Sequence, residues 1–377
     1  MEIPVVLSFI SAFLAVLYVV LVLAFIRGWH RLKVSSVEAS SGNVSVSVIV
    51  AARNEETNIA LTIDDLLAQD YNGPYEIIII DDHSTDRTAE IVMGYAASGV
   101  KLIRLNEDRA LNSYKKKAIQ TAIGASASQV IVTTDADCRM GTRWLSAIVG
   151  FYESSGCKMI SSPVAYHQEK NWFETAQSLE FLYLIGLGAS TIGNNKPSTC
   201  NGANLTYERA AFHEVGGFKG IDDLASGDDE LLLHKMAQRY PGKIGFLKSL
   251  DAVVYTTAKE TLGEFIQQRK RWASKSTRYK DKSIIALGVC IWLFNLSILL
   301  NAVTGIFLPF FFKVAISQFL AKFFIEACFL WDVTAFMKRK RLMLMLPLLN
   351  VLHILYMVYI GIAGNSGKYN WKDRMVK

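Results

Sequence analysis

The sequence predicts an α/β domain with an open, mostly parallel sheet, flanked by transmembrane α-helices. Three observations predict it. Charge-free apolar runs lie at both ends of the chain, and a polar stretch long enough for one globular domain lies between them. Inside that stretch, β-branched runs alternate with helical patterns. The chain has 377 residues, 51% of them hydrophobic, and the apolar excess is concentrated in the terminal runs.

The first run, Ile3 to Ile26, carries no charge and exceeds the ~20 residues that span a bilayer core. It is too long for a signal-peptide core and has no A-x-A site, so it reads as an anchor. Only Glu2 precedes it, whereas Arg27, Arg31 and Lys33 follow. The positive-inside rule then puts the N-terminus outside and the globular domain in the cytoplasm. Ser283 to Phe312 is a second charge-free run, and Leu342 to Gly364 is another, interrupted only by His353. Between them Val314 to Met337 is apolar but carries Lys322, Glu326 and Asp332. Charges inside a span are costly, but Lys322 and Glu326 stand at i, i+4 and can pair. Four spans are therefore expected, with Lys338 to Arg341 facing the cytoplasm and the tail with Lys372 and Arg374 outside. If Val314 to Met337 only lay in the interface, those two sides would exchange. The expected organisation is an anchor at 1–28, a globular domain at 29–282 with an interfacial helix near its end, a membrane region at 283–364 and a basic tail at 365–377.

The net charge of +6 does not point to nucleic acid. The positive residues cluster beside apolar segments, above all from Gln268 to Lys282, and such juxtamembrane runs meet anionic lipid headgroups. Cys138, Cys157, Cys200, Cys290 and Cys328 show no CxxC spacing, so neither a disulfide framework nor a zinc site is readable.

In the middle of the chain, three β-branched runs end in polar residues: VSVSVIVAARNEE from Val44, EIIIIDDHSTD from Glu76 and VIVTTDAD from Val130. Continuous apolar strands belong to parallel sheets covered on both faces. Helical patterns separate them. EETNIALTIDDLLAQ from Glu55 puts Ile59, Ile63, Leu66 and Leu67 on one face, DRTAEIVMGYA from Asp86 follows Ser84 and Thr85 as caps, and SYKKKAIQTAIGAS from Ser113 precedes the third run. Ligands bind such sheets at the carboxyl ends of the strands. There Asn54-Glu55, Asp81-Asp82 and Asp135-Asp137 would converge.

Asp135 and Asp137 flank one residue, so in extended chain their carboxylates share a side and repel unless a positive group sits between them. A solvated turn is the other reading of such a pair. The chain has no G-x-G-x-x-G after the first strand and no G-x-x-x-x-G-K-[ST], so a phosphate site here needs another source of positive charge. A divalent cation on oxygen ligands, Mg²⁺ or Mn²⁺, is the simplest.

Over roughly Ser45 to Lys275 the motifs resemble a family-2 glycosyltransferase with the GT-A fold, of the membrane-anchored branch that includes cellulose, chitin and hyaluronan synthases. VIVAARNEE, IIIIDDHSTD, YKKKAI, TTDAD, SGDDELL and QQRKRW occur in the family's order. The resemblance implies a GT-A, Rossmann-like sheet and transfer from a UDP-sugar. It places Ala51, Asn54, Glu55, Asp81, Asp82, Lys115, Asp135, Gln268 and Arg271 at the nucleotide and donor, with an aspartate at 81 or 82 reading the uracil. It makes Asp137 a metal ligand with help from Asp135, and Asp229 the general base that takes the proton of the attacking hydroxyl. Gly202, Asn204, Asp228 and Trp272 would lie at the acceptor. Asp228 stands where many members carry glutamate, and a structural or N-cap role is its alternative, because ELLLHKMAQ reads as a helix starting there. Lys116 and Lys117 would match either donor contacts or a solvated helix face. Gln268, Arg271 and Trp272 lie on a helical pattern from Leu262 to Ser276, for which an amphipathic interfacial helix is the other reading.

Two departures stand out. The usual T-Y-N-E is Ala52-Arg53-Asn54-Glu55, and YNWKDR from Tyr369 resembles a W-K-G-R tail with Asp373 in place of glycine. The expected protein is thus an integral membrane enzyme of the bacterial inner membrane. It would invert configuration as it moves sugar to a lipid, lipid-linked or glycan acceptor at the cytoplasmic face. A processive polysaccharide synthase subunit fits Q-x-x-R-W, but few membrane segments are left for a polymer channel. A non-catalytic nucleotide-sugar-binding membrane protein would be expected to lack an acid, yet Asp137 and Asp229 are both present.

Overall fold

A computed structural model describes residues 3–35, 40–107, 111–363, 369–371 and 374–376. In chain order the elements are α1 (Ile3–Arg31), β1 (Val46–Ala52), α2 (Ile59–Leu67), β2 (Tyr75–Asp81), α3 (Thr88–Gly94), β3 (Val100–Arg104), α4 (Tyr114–Ala125), β4 (Val130–Asp135), β5 (Arg139–Met140), α5 (Trp144–Ser155), β6 (Met159–Ser161), β7 (Val164–Tyr166), α6 (Trp172–Gly193), β8 (Leu205–Glu208), α7 (Arg209–Glu214), α8 (Glu230–Arg239), β9 (Ile244–Phe246), β10 (Val254–Thr256), α9 (Leu262–Ser274), α10 (Lys282–Thr304), α11 (Pro309–Phe336), α12 (Leu346–Ala363), β11 (Tyr369–Trp371) and β12 (Arg374–Val376). They form two compact units. One holds Met1–His30, Glu169–Ser190 and Lys259–Gly367, and the other Arg31–Gln168, Thr191–Ala258 and Lys368–Lys377. This division differs from boundaries at 28 and 282, because α9 and nearly all of α6 pack in the unit of the long apolar helices. Of the C-terminal motif, Lys372 and Asp373 lie outside the described residues.

The α/β unit is built on a seven-stranded sheet in the order β3-β2-β1-β4-β8-β6-β9. The expected runs are its central strands β1, β2 and β4, mutually parallel and almost wholly buried. Val, Ile and Thr suit such strands, because branched side chains pack well on a pleat covered on both sides. The register aligns Ala51 with Asp135 and Ala52 with Asp81, so the carboxyl ends of three strands reach the same edge together. The strand β3, which the sequence pattern did not announce, extends the parallel part beyond β2. Beyond β4 the sheet turns antiparallel at β8. A smaller sheet, β5-β10-β7, sits beside the end of β4.

The other unit contains four helices long and apolar enough to cross a membrane: Pro4–Arg31, Lys282–Thr304, Pro309–Phe336 and Lys340–Ala363. The charge-free run from Ser283 to Phe312 is not one element, since Pro309 opens α11 and α10 ends at Thr304. Proline fits the first helical position, where its missing N–H is not needed. Large apolar side chains such as Phe9, Phe13, Phe310 and Phe324 remain exposed on these helices. Of the charges on α11, Lys322 and Glu326 are buried inside the unit. Lys322 Nζ lies 2.6 Å from Glu326 Oε1 and 3.1 Å from Asn350 Oδ1, and the Tyr18 hydroxyl donates to Glu326. The i, i+4 pairing expected from the sequence is therefore formed, with partners from α1 and α12 added. Where α6 crosses α11, a Cβ at Gly186 would come 2.8 Å from Val333, so only glycine permits that approach.

Candidate active site

The loops that leave β1 and β2 are stitched to each other. Asn54 adopts a left-handed conformation at φ 51°, which asparagine tolerates, and its Oδ1 accepts from the Thr85 N–H at 2.9 Å. The Glu55 N–H donates to Thr88 Oγ1, and the Glu55 carboxylate accepts from Asn58. Arg53, one of the departures from the usual motif, donates to the carbonyls of Asp82 at 2.9 Å and His83 at 2.8 Å, pinning the turn after β2. Asp81 is buried with Oδ1 accepting from the Ser84 N–H. Its Oδ2 has no partner among the described residues. Asp82 is also buried, beside the His83 ring at 3.0 Å.

At the end of β4 the two acids lie on one side, as the spacing implied. Asp135 and Asp137 are half-exposed, whereas Ala136 between them is buried. The Thr62 hydroxyl of α2 donates to the carbonyls of Ala136 at 2.8 Å and Cys138 at 2.9 Å, clamping the backbone of the pair. Asp135, Asp137 and Cys138 each place a ligand atom within 4.8 Å of the others. Burial, with the two carboxylates adding to it, pushes the Cys138 thiol well above the ordinary range, so it stays protonated and is a poor partner for a hard cation. The two carboxylates suit Mg²⁺ or Mn²⁺.

Lys115, on the first turn of α4, joins this cluster to a distant segment. Its Nζ lies 2.7 Å from Asp135 Oδ1 and 3.3 Å from Asp228 Oδ2, with the lysine side chain 22% exposed. Burial alone would lower its pKa, but Asp135, Asp228 and Asp229 outweigh that and hold the ammonium above the usual lysine range. Three acids thus gather about one lysine, leaving the cluster negative.

Asp229 caps α8. Its Oδ1 accepts from the Glu230 N–H at 2.6 Å and its Oδ2 from the Gly202 N–H at 3.2 Å. A Cβ at Gly202 would lie 3.3 Å from Asp228 Oδ2 and 3.4 Å from the Asp229 Cβ, so glycine lets the two segments close up. The cap therefore belongs to Asp229, not to Asp228. Asn204 does not present its side chain to a ligand. It is fully buried, donates to the Pro163 and Ala252 carbonyls and accepts from the Trp144 indole N–H, so it acts on the site through the fold.

Of the two alternatives for Lys116, a donor contact or a solvated helix face, the structure departs from the solvated face. It is 1% exposed and donates to the carbonyls of Leu224 at 2.5 Å and Ser226 at 2.6 Å, just before Gly227-Asp228-Asp229. A lysine amid the run Tyr114 to Ile119 carries no sequence signal that it points inward. Lys117 meets Glu107 at 3.2 Å on the surface.

Gln268, Arg271 and Trp272 lie on α9 in the other unit, opened by a full capping box of Thr261 and Glu264. The arginine that α9 buries is Arg269, which sequence reasoning passed over. It forms an ion pair with Glu180, donates from Nη1 to Gln268 Oε1 at 2.6 Å and lies 4.2 Å over the Trp272 ring. Arg271 is half-buried, and the Trp272 ring also meets Phe181 with centroids 6.0 Å apart.

Residues 47–216 match the family model described as glycosyl transferase family 2. A beta-monoglucosyldiacylglycerol synthase from Nostoc sp. is 27% identical over 240 residues, 63% of this chain and 50% of that protein. A 4,4'-diaponeurosporenoate glycosyltransferase from Staphylococcus haemolyticus is 27% identical over 191 residues, 46% of this chain and 50% of that protein. The chain thus spans about half the length of these curated relatives. Among solved structures, a mannosyltransferase from Pyrobaculum calidifontis in complex with GDP-Man and Mn²⁺ aligns over 93% of this chain and 97% of its own, with TM-score 0.52 and 19% identity. That likeness establishes the GT-A fold, and the family match and named relatives support a glycosyltransferase.

Proposed function

We propose that the chain moves a sugar from a UDP-sugar to a lipid, lipid-linked or glycan acceptor at the cytoplasmic face of a membrane, with inversion at C1. The observation that carries this reading is the Lys115 bridge. One ammonium holds the D-x-D acid Asp135 and the Asp228-Asp229 segment, whose motifs lie far apart in sequence, at one end of the sheet. An acceptor oxygen would form its bond to C1 as the bond from C1 to the diphosphate oxygen breaks. The acceptor's proton passes to the Asp229 carboxylate, and the electron pair of the broken bond leaves with the diphosphate. Asp137 and Asp135 would hold Mg²⁺ or Mn²⁺, which supplies positive charge to the leaving diphosphate. Lys115 adds a fixed cation. Asp81 Oδ2, the oxygen left over from the turn, would accept from the uracil N–H. A lipid or lipid-linked acceptor is favoured by the four long apolar helices and by the glycolipid named in the Nostoc relative.

Competition among UDP, GDP and CDP tests the base assignment, with labelled UDP-sugars and solvent-class extraction of products testing the acceptor. UDP is expected to inhibit most strongly. Stronger inhibition by GDP, the nucleotide of the mannosyltransferase with this fold, would overturn the role of Asp81.

Lys116 is expected to position the base without touching the donor. Lys116→Met leaves two buried carbonyls without their donor, costing about 1–3 kcal/mol for each unsatisfied group. The Gly227-Asp228-Asp229 segment should loosen, so kcat should fall by about tenfold or more while UDP affinity stays within about twofold. Equal losses in both would show that Lys116 shapes the donor site instead.

A further inference from the structure

Four consecutive cations, Lys338 to Arg341, follow the end of α11 at Phe336, at the junction with the next long apolar segment, Lys340–Ala363. The chain turns sharply there. Lys338 takes a left-handed conformation at φ 56°, its N–H donates to the Ala335 carbonyl at 3.1 Å, and the Arg339 N–H donates to the Thr334 carbonyl at 2.8 Å. A left-handed lysine is a strained choice where glycine is usual, and it aims a charged side chain out of the turn. A cleft of about 440 Å³ is lined by Ala335, Lys338, Arg339, Lys340, Arg341 and Leu342.

The four cations are not equivalent. Arg339 is fixed by the Glu169 carboxylate at 2.6 Å, and Glu169 also accepts from Ser178. Lys340 lies 4.3 Å over the ring of Trp331, which is half exposed. Lys338 and Arg341 are exposed, and no acid pairs with either among the described residues. A helix C-terminus attracts positive charge, but only within its last turn, so it does not account for Lys340 and Arg341. An anion with several acceptor oxygens answers cations converging on one cleft, and arginine suits phosphate in particular. The surroundings name the source. Both flanking helices cross a membrane by length and composition, which puts their joining turn at a membrane surface, and Trp331 and Leu344 stand exposed beside it. We propose that the turn from Lys338 to Arg341 is a binding site for the phosphate of an anionic phospholipid headgroup.

Native mass spectrometry of the full chain in detergent tests it, with phosphatidylglycerol, phosphatidylcholine and inorganic phosphate added separately. Phosphatidylglycerol should stay bound under conditions that strip the other two. Replacing both unpaired cations, Lys338→Gln with Arg341→Gln, should weaken its retention about 30-fold, at roughly the strength of one surface cation each. Lys280→Gln with Lys282→Gln, in the separate basic run, should leave it unchanged. Arg341→Gln alone, an exposed single change, should cost about fivefold and keeps the test open if the double variant does not fold. Equal retention of phosphatidylglycerol and phosphatidylcholine, or an equal loss from the Lys280 and Lys282 pair, would overturn the site. Retention of inorganic phosphate as strong as that of phosphatidylglycerol would overturn the lipid as its ligand.

Discussion

Asp229→Asn is expected to slow turnover by about 10²–10⁴-fold, the usual contribution of a general base, while UDP affinity barely changes. The substitution is mild for the fold. Asp229 caps α8 through the Glu230 N–H, and asparagine caps as well as aspartate. One carboxylate oxygen becomes an NH₂ group, so either the contact with Gly202 N–H or the cap is lost, at about 0.5–1.5 kcal/mol. The missing function is the capacity to take a proton. Initial rates and UDP affinity measured in the same membranes separate the two effects. A near-normal rate, or a loss of UDP binding as deep as that of Asp137→Asn, would move the base elsewhere, with Asp228 the next candidate.

Chelation should abolish activity, and Mn²⁺ or Mg²⁺ should restore it. Of the D-x-D pair, Asp135 already shares its charge with the Lys115 ammonium, so Asp137 is the carboxylate whose loss should weigh most on a cation. Asp137→Asn should weaken UDP binding by more than the ~10–100-fold typical of losing an outer-shell partner, and lower turnover with it. Metal-dependent UDP affinity, measured with and without chelator, reads this directly. Full activity in chelator would sink the metal reading.

The sheet was legible because its signal is local. Val46 to Ala52, Tyr75 to Asp81 and Val130 to Asp135 are rich in β-branched residues, and parallel pairing then aligns their carboxyl ends, two of which end in an aspartate. The four long apolar helices were legible for the same reason. The strand β3 was not, since VKLIR mixes charged and apolar residues as a sheet edge allows. Side-chain direction was the other blind spot. Lys116 and Lys117 are neighbours of one residue type, yet one is buried on two carbonyls and the other meets solvent. Nothing in a run of lysines distinguishes them. Arg269 and Arg271 repeat the problem on α9, where the buried partner Glu180 comes from a helix some ninety positions earlier. Asn204 was read as an acceptor contact, but its three partners arise from separate parts of the chain that no motif connects.

The polar group inside α11 has a consequence for how the chain is made. In a chain that entered a membrane from its N-terminus, α1 would be in place when α11 left the ribosome, and α12 would be still to come. Glu326 could meet both Lys322 and Tyr18 of α1 at that moment, so the pair would be complete before α12 follows. Lys322 gains Asn350 only when α12 follows. A chain cut short before Leu346 would therefore keep the Lys322–Glu326 pair but lack the Asn350 and His353 partners that α12 brings to the ammonium.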